Sequence, residues 1–155
     1  MNEHVKQSNL CCDFVNRAKG KKDNKTRLYR YAGNFSWKGV KPERYKPAGK
    51  DWSDIARQTL IGNRGETSKF HLRYFEIAPE GYSSFEMHKH EHVVIGIRGK
   101  GICIAGKKEY RISFLDTLYI KPNEPHQLKN TFKEPFGFFC LVNARRDRPK
   151  TLKGR

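Results

Sequence analysis

Residues 69–99 read KFHLRYFEIAPEGYSSFEMHKHEHVVIGIRG and contain three short runs with the composition of β-strands, at 69–78, 83–88 and 92–99. Each run is rich in β-branched and aromatic residues, and proline or glycine separates the first run from the second. Five similar runs follow in the order GICIAG, KEYRIS, TLYIKP, HQLKNTF and FGFFCLVN. Eight closely spaced strands with no helical segment among them predict an all-β antiparallel sandwich or barrel, in which a closed or jelly-roll architecture protects the strand edges.

Length and composition bound the domain count and the class of protein. The chain has 155 residues, 36% hydrophobic and 31% charged, with 10 Phe, 7 Tyr and 2 Trp. This size predicts one hydrophobic core, and the aromatic content argues against wholesale disorder. No apolar run approaches the roughly 18 residues of a membrane span, and the first residues lack a signal-peptide core. We therefore expect a cytoplasmic protein without membrane contact.

The net charge of +16 is concentrated at the two ends of the chain. Residues 1–50 carry 13 Lys and Arg against 4 Asp and Glu, and residues 144–155 carry 6 against 1. Between them, residues 51–143 carry 13 against 11. This distribution favours solvated basic ends, with weak contact to nucleic acid or another polyanion as the alternative.

The same pattern suggests a domain organisation. We expect a mobile basic arm at 1–34, a barrel domain at 35–143 whose segment 35–67 packs on it in extended form, and a basic tail at 144–155. Within that segment, DIARQTL at 54–60 could form a helical turn, and its last residues could equally begin a strand.

The four cysteines do not form a metal-binding or redox pair. None of Cys11, Cys12, Cys103 and Cys140 belongs to a C-x-x-C motif. The first two predict free thiols near the N-terminus, whereas Cys103 and Cys140 lie in apolar runs and are expected to behave as small core residues.

Glu86, His88, His90 and His92 alternate along the chain, so in one strand they would all face the same side. Burying so many ionisable groups on an apolar face requires compensation, and a divalent metal ion would supply it. Alternatively the face is solvent-exposed and merely polar. A further histidine, His126, lies in PNEPHQLKN.

These two blocks resemble the paired motifs of the cupin superfamily, G-x5-H-x-H-x3,4-E-x6-G and G-x5-P-x-G-x2-H-x3-N, over about residues 68–143. His126 and Asn130 match H-x3-N, and Asp116 with TLYIKP matches the preceding part of the second motif. The chain departs from the family at Leu115, Lys121 and Asn123, where the family has Gly, Pro and Gly. Asn123 can still adopt the left-handed conformation of such a turn. The resemblance implies an antiparallel double-stranded β-helix, or jelly-roll barrel.

The first motif requires a choice of register because it offers more histidines than the family uses. Counting back from Gly99 places His92 at the glutamate position of the motif, with His88 and Glu86 at the two histidine positions. Positions i, i+2 and i+4 of a flat strand span about 13 Å, so the strand must bend for its side chains to converge on one ion. We expect Glu86, His88, His92 and His126 to be the metal ligands, with His90 in the bend as the alternative to Glu86.

The resemblance also implies a function. Mixed nitrogen and oxygen ligands suit a divalent Fe, Mn, Ni, Cu or Zn ion, and the sequence does not choose among them. Cupins with such sites include dioxygenases, isomerases and decarboxylases, so we expect a metal-dependent enzyme acting on a small organic acid, enol or diketone. The alternative is a non-catalytic cupin that binds or senses a small ligand and contacts a polyanion through its basic ends. Stand-alone cupins of this length commonly form homodimers.

The remaining charged and aromatic side chains of the strands are expected to have structural roles. Arg73 and Arg98 are expected to point outward, and either of them would clamp a substrate carboxylate if it pointed inward. Glu76 is expected at the surface, with a role as general base as the alternative. The aromatic residues expected in the core are Tyr74, Phe75, Phe85, Tyr110, Phe114, Tyr119, Phe138 and Phe139.

Overall fold

A computed structural model describes residues 24–46 and 49–153, which form thirteen β-strands and no helix. The predicted basic arm falls mostly outside these residues, as do Cys11 and Cys12. The strands are β1 (Tyr31–Gly33), β2 (Ser36–Trp37), β3 (Glu43–Arg44), β4 (Ser53–Ile61), β5 (Phe70–Tyr82), β6 (Glu86–Met87), β7 (His92–Arg98), β8 (Gly101–Ala105), β9 (Lys108–Ile112), β10 (Thr117–Ile120), β11 (His126–Lys129), β12 (Phe136–Asn143) and β13 (Lys150–Thr151).

Eleven of the described strands form an antiparallel, nearly closed barrel with two walls. One wall has the order β3-β4-β5-β12-β7-β10, and the other has the order β9-β8-β11-β6-β13. The long strand β5 joins the two walls, because its last residue, Tyr82, pairs with Lys129 of β11. The predicted all-β jelly-roll fold is therefore confirmed, and each of the eight predicted runs contains a strand.

The hydrophobic core lies between the two walls. Ile77, Val94 and Phe136 have no exposed surface, and Ile112 of the second wall is 1% exposed. Phe136 packs on Phe138 with ring centroids 5.0 Å apart. Cys103 and Cys140 are buried free thiols, as the sequence predicts.

Residues 54–60 belong to a strand, so the helical alternative was wrong. Ile55 pairs with Ile77 of β5, and Thr59 pairs with Arg73. Because Ile55 and Leu60 are buried in the finished sheet, cross-strand packing outweighs the weak local preference of DIARQTL for a helical turn.

The hairpin β1–β2 covers the outer face of the first wall. Phe35 stacks on Tyr74 with centroids 6.0 Å apart, and Trp37 contacts both Tyr74 and Phe139. Tyr74 is therefore only 1% exposed although it points away from the barrel interior.

Three aromatic residues predicted in the core are instead exposed. Tyr110 is 39% exposed, Phe114 65% and Tyr119 61%. They lie on or between β9 and β10, whose outer faces no other described strand covers. Strand alternation predicted which residues share a face, and only the covering segment decides whether that face is buried.

The C-terminal segment returns to the histidine-bearing end of the barrel. Lys150 and Thr151 pair with Met87 and Glu86, and the Leu152 N–H donates to the Phe85 carbonyl. In the described part of the chain, no helix has the length and apolarity needed to cross a membrane.

Candidate metal centre

Three histidines converge inside one end of the barrel. His88 follows β6, His92 begins β7 and His126 begins β11, and one ligand nitrogen from each lies within 4.8 Å of the others. His88 and His126 are each only 4% exposed. An ion with bonds near 2.1 Å keeps its ligand atoms roughly 3–4 Å apart, so small inward shifts would bring these three nitrogens onto one metal. The grouping could hold a metal ion.

Hydrogen bonds direct one nitrogen of each ring toward this centre. Nδ1 of His88 donates to the His90 carbonyl at 3.0 Å, and Nδ1 of His126 donates to the Glu124 carbonyl at 2.8 Å. His92 Nδ1 lies 3.2 Å from Cys140 Sγ. Because a carbonyl oxygen can only accept, Nε2 of His88 and of His126 carries the free lone pair, as metal ligation requires.

The two Nε2 atoms of His88 and His92 are 2.8 Å apart. This is hydrogen-bond distance, and because the proton of His88 is on Nδ1, the His92 Nε2–H donates to His88 Nε2 in the metal-free protein. A divalent ion would take the place of that proton, with the His92 proton on Nδ1, so the donor set fits a divalent metal ion.

Burial keeps His88 and His92 uncharged at neutral pH. Desolvation, helped by the neighbouring histidines, lowers the pKa of His88 to about 4. Desolvation also lowers the pKa of His92 well below its usual value, and the charge of Arg73 acts in the same direction. Neutral imidazole is the form that binds a metal.

Glu86 is buried beside the histidines but is bound to a cation. It pairs with His126 in the β6–β11 register, and its Oε2 accepts from Lys46 Nζ at 3.0 Å. Lys46 is 5% exposed and also donates to Ser84 Oγ at 2.7 Å. The Glu86 carboxylate is not part of the three-histidine group in this arrangement.

His90 lies in the bend between β6 and β7 and turns toward the C-terminal segment. Its Nδ1 is 2.8 Å from Asp147 Oδ1, and its ring stacks on His88 with centroids 3.8 Å apart. Partial burial acts to raise the pKa of Asp147, but hydrogen bonds from the Lys89 N–H and from His90 outweigh it and lower the pKa to about 2. Asp147 is therefore an anion that fixes His90 against the ring of His88.

Arg73 points into the barrel, so the prediction that it points outward was wrong. Its Nη2 donates to Cys140 Sγ at 3.4 Å, and its guanidinium carbon lies 5.0 Å from the centre of the Phe75 ring. Arg73 and Cys140 are directly paired across β5 and β12, which places both on the interior face. Arg98, in contrast, is paired with Glu76 at 2.9 Å, and Glu76 also accepts from Tyr74.

The two departures from the glycines of the second motif are accommodated by left-handed backbone. Leu115 has φ of 65° and Asn123 has φ of 60°. The Asn123 N–H donates to the His88 carbonyl at 2.8 Å, so this turn directly supports the metal centre. Asn130 is fully buried and bonds the backbone of Ile77, Phe132 and Glu134, which gives it a structural role.

Sequence reasoning missed Lys46 and Asp147 as components of this region. Lys46 lies 40 residues from Glu86, and Asp147 lies 57 residues from His90. Both residues lie in basic stretches, which usually indicate solvated ends. The one sequence feature that could have indicated a contact is that Asp147 is the single acidic residue within RRDR at 145–148.

A cavity of about 330 Å³ lies beside His90 at this end of the barrel. Its lining is mostly basic or polar and comprises Lys89, His90, Asn143, Arg145, Arg146 and Asp147. A larger cavity of about 450 Å³ lies on the outside of the barrel, near Tyr110, Tyr119 and Lys121.

Comparisons with known proteins agree with the fold and the motif. The Cupin_2 family model, described as a cupin domain, matches residues 73–142. The 1-methylthio-D-xylulose 5-phosphate methylsulfurylase of Rhodospirillum rubrum is 34% identical over 121 residues, which cover 77% of this chain and 76% of that protein.

Solved structures are similar over most of the chain. A cupin 2 conserved barrel domain protein from Rhodopseudomonas palustris superposes with a TM-score of 0.75 at 32% identity, covering 83% of this chain and 88% of that one. A cupin-2 domain protein from Rhodospirillum rubrum gives a TM-score of 0.71 at 31% identity, covering 81% and 84%. The chain belongs to the cupin superfamily, in the family of Cupin_2 domains.

Proposed function

We propose that this protein is a metal-dependent enzyme acting on a small phosphorylated 2-ketose, with His88, His92 and His126 as metal ligands and Glu86 as the fourth. The observation that carries the proposal is the convergence of three imidazoles whose Nδ1 atoms are already engaged. The candidate ions are divalent Fe, Mn, Ni, Cu and Zn.

Support for Glu86 comes from its burial and its position. It is 9% exposed, lies opposite His126 in the sheet, and its charge acts on Cys140 in the interior. Metal ligation by Glu86 requires its carboxylate to exchange the Lys46 ammonium for the ion. Lys46 then competes with the metal for one carboxylate.

The substrate class follows from the relative's name and from the chemistry of that compound. A 1-methylthio-D-xylulose 5-phosphate has a ketone at C2, sulfur on the adjacent carbon and a phosphate at the far end. A divalent ion at the three histidines would act as a Lewis acid on the ketone oxygen and acidify the adjoining C–H bonds. Among the reactions implied by the cupin resemblance, this favours isomerase-type proton abstraction, in which solvent water would take up the proton and return it.

The chain's own residues keep the ligands in place. Asp147 fixes His90, whose ring packs on His88, and the Asn123 turn holds the His88 carbonyl. Such supporting contacts orient the ligating rings and exclude alternative rotamers. A cytoplasmic location and a homodimer remain predictions, and contact of the basic ends with nucleic acid remains the alternative to solvated ends.

The test combines elemental analysis with isotope exchange. Purified protein should contain about one divalent ion per chain, and 1-methylthio-D-xylulose 5-phosphate in D₂O should exchange a proton beside the ketone, as followed by NMR. His126→Ala should lose both the ion and the exchange, whereas Arg111→Gln, on the exposed strand β9, should keep both. A wild-type protein that takes up none of the five ions, or that is loaded and catalyses no exchange, would contradict the proposal.

A further inference from the structure

Arg73 carries a charge that no described carboxylate neutralises. No Asp or Glu oxygen of the described residues lies within 4.0 Å of its guanidinium, and its Nε is buried without a hydrogen-bond partner. Its contacts are the Cys140 sulfur, a weak acceptor, and the face of Phe75.

Two other arginines of the same wall, Arg57 and Arg98, are paired with carboxylates. Arg57 donates through Nε and Nη2 to Glu43 at 3.0 and 2.8 Å, and Arg98 pairs with Glu76. Arg73 is half-buried, and partly burying a cation without an opposite charge is costly, so we expect Arg73 to lower the stability of the unliganded barrel. A bound anion would remove that cost.

Arg73 lies one side chain away from the histidine cluster. Cys140 Sγ lies between the Arg73 Nη2, at 3.4 Å, and the His92 Nδ1, at 3.2 Å. The guanidinium is therefore on the Nδ1 side of His92, within the length of a small ligand from the converging Nε2 atoms. A divalent ion at the histidines and the Arg73 guanidinium would together favour a ligand that carries negative charge.

Basic residues also line the approach from solvent. Arg146 Nη1 lies 3.1 Å from His71 Nδ1, two residues before Arg73 on β5, and Arg146 also lines the cavity beside His90 together with Lys89 and Arg145. The single acidic residue in that lining, Asp147, already accepts from the Lys89 N–H and contacts His90. This end of the barrel therefore attracts anions.

We propose that Arg73 binds the phosphate group of the substrate through its guanidinium, using the planar fork that suits phosphate oxygens. This inference rests on the proposed function, because it uses the same site, and it assigns the residue that selects a phosphorylated substrate. A ketose bound to the metal by its carbonyl would then be held at both ends.

The test uses inorganic phosphate as the probe and the full-length protein, both metal-loaded and stripped with a chelator. Phosphate binding is measured by calorimetry and by the rise in Tm that a ligand of the folded state produces. Wild type should bind phosphate in both forms, Arg73→Gln should lose about tenfold or more in affinity, and Arg73→Lys should lose several-fold because it keeps the charge without the fork. Arg111→Gln removes the same charge from the exposed strand β9 and should bind as wild type does.

A second readout separates binding from a structural role. Without phosphate, Arg73→Gln should have a Tm equal to or above that of wild type, because a half-buried charge without an opposite charge has been removed. An Arg73→Gln protein with a lower Tm and unchanged phosphate affinity would overturn the inference. So would stabilisation of wild type by acetate and not by phosphate, because the ligand class would then be a carboxylate.

Failure of this inference can be told apart from failure of the proposed function. Phosphate binding that disappears with the metal and survives in Arg73→Gln means that the ion alone binds phosphate, which overturns the role of Arg73 and leaves the enzyme proposal standing. A wild type that takes up no metal yet binds phosphate through Arg73 overturns the enzyme proposal and supports this inference.

Discussion

The two ends of the barrel interior are built from the same strands and differ in chemistry. Along β5 the inward residues change from Arg73 to Phe75 and Ile77, and along β12 they change from Cys140 to Phe138 and Phe136. The apolar end has no exposed surface at Ile77 and Phe136, whereas the histidine end holds ionisable groups. This contrast indicates that one end supplies most of the stability and the other carries the chemistry, and mutations should separate the two.

The largest effect on stability is expected at the apolar end. Phe136→Ala should lower the free energy of unfolding by about 3–5 kcal/mol, because it removes a fully buried ring and leaves a cavity. Urea titration followed by tryptophan fluorescence measures this. Phe114→Ala removes the same ring from a side chain that is 65% exposed and should cost less than about 1 kcal/mol. Equal losses in the two variants would show that the apolar end is not the source of stability.

The second prediction concerns the metal ligands. His126→Ala should weaken metal binding by about a hundredfold or more, because it removes a converging nitrogen. His90→Ala should weaken it by less than about tenfold, because that ring supports His88 from behind and its Nδ1 is engaged by Asp147. Competition with a fluorescent chelator measures both affinities. Equal losses would make His90 a ligand and refute the assignment of Glu86, His88, His92 and His126.

The third prediction is that the metal-free protein loses stability in mild acid. The folded state holds the pKa of His88 near 4, below the value of about 6.5 for an unfolded histidine, so the unfolded chain binds more protons below pH 6.5. Stability contributed by this group is complete above pH 6.5 and is lost as the pH falls toward 4. Protonation of His88 in the unfolded chain should by itself lower the free energy of unfolding by roughly 2 kcal/mol between pH 7 and pH 5.

Chemical denaturation at a series of pH values checks this. His88→Gln should flatten the pH dependence, since glutamine does not titrate. A metal-free wild type with the same free energy of unfolding at pH 7 and pH 5 would show that the histidine end is open to water.

The sequence predicted the barrel and the histidine cluster because both depend on local alternation. Residues two apart share a face in any strand, and the bend needed to bring His88 and His92 together could be inferred from distances alone. Contacts between distant segments determine the positions of Lys46 and Asp147 and the inward orientation of Arg73. Sequence periodicity does not predict such contacts. The exposed Tyr119 was misplaced for the same reason, because alternation does not show which outer faces are covered.

The fourth prediction concerns the carboxylate at the histidine end. Glu86→Gln keeps the size and removes the charge, so it should weaken metal binding by about tenfold or more if the carboxylate is a ligand. Lys46→Met removes the ammonium that competes for Glu86 and should strengthen metal binding. Glu109→Gln, on exposed β9, is the matched control and should leave the affinity unchanged. Unchanged affinity in both Glu86→Gln and Lys46→Met would mean that this ion pair is purely structural.

The smallest effect is expected on the outer face of the barrel, where the contrast between the two ends no longer applies. Tyr119 is 61% exposed on β10, although its neighbours Leu118 and Ile120 pack inward. Tyr119→Thr keeps strand propensity and should change the free energy of unfolding by less than about 0.5 kcal/mol, with no change in metal content. Ile120→Ala, one residue along the same strand, removes a side chain that is 2% exposed and should cost several times more. A Tyr119→Thr variant as unstable as Ile120→Ala would show that another part of the protein covers the outer face of β10. Tyr119 would then contribute to stability as a buried residue does.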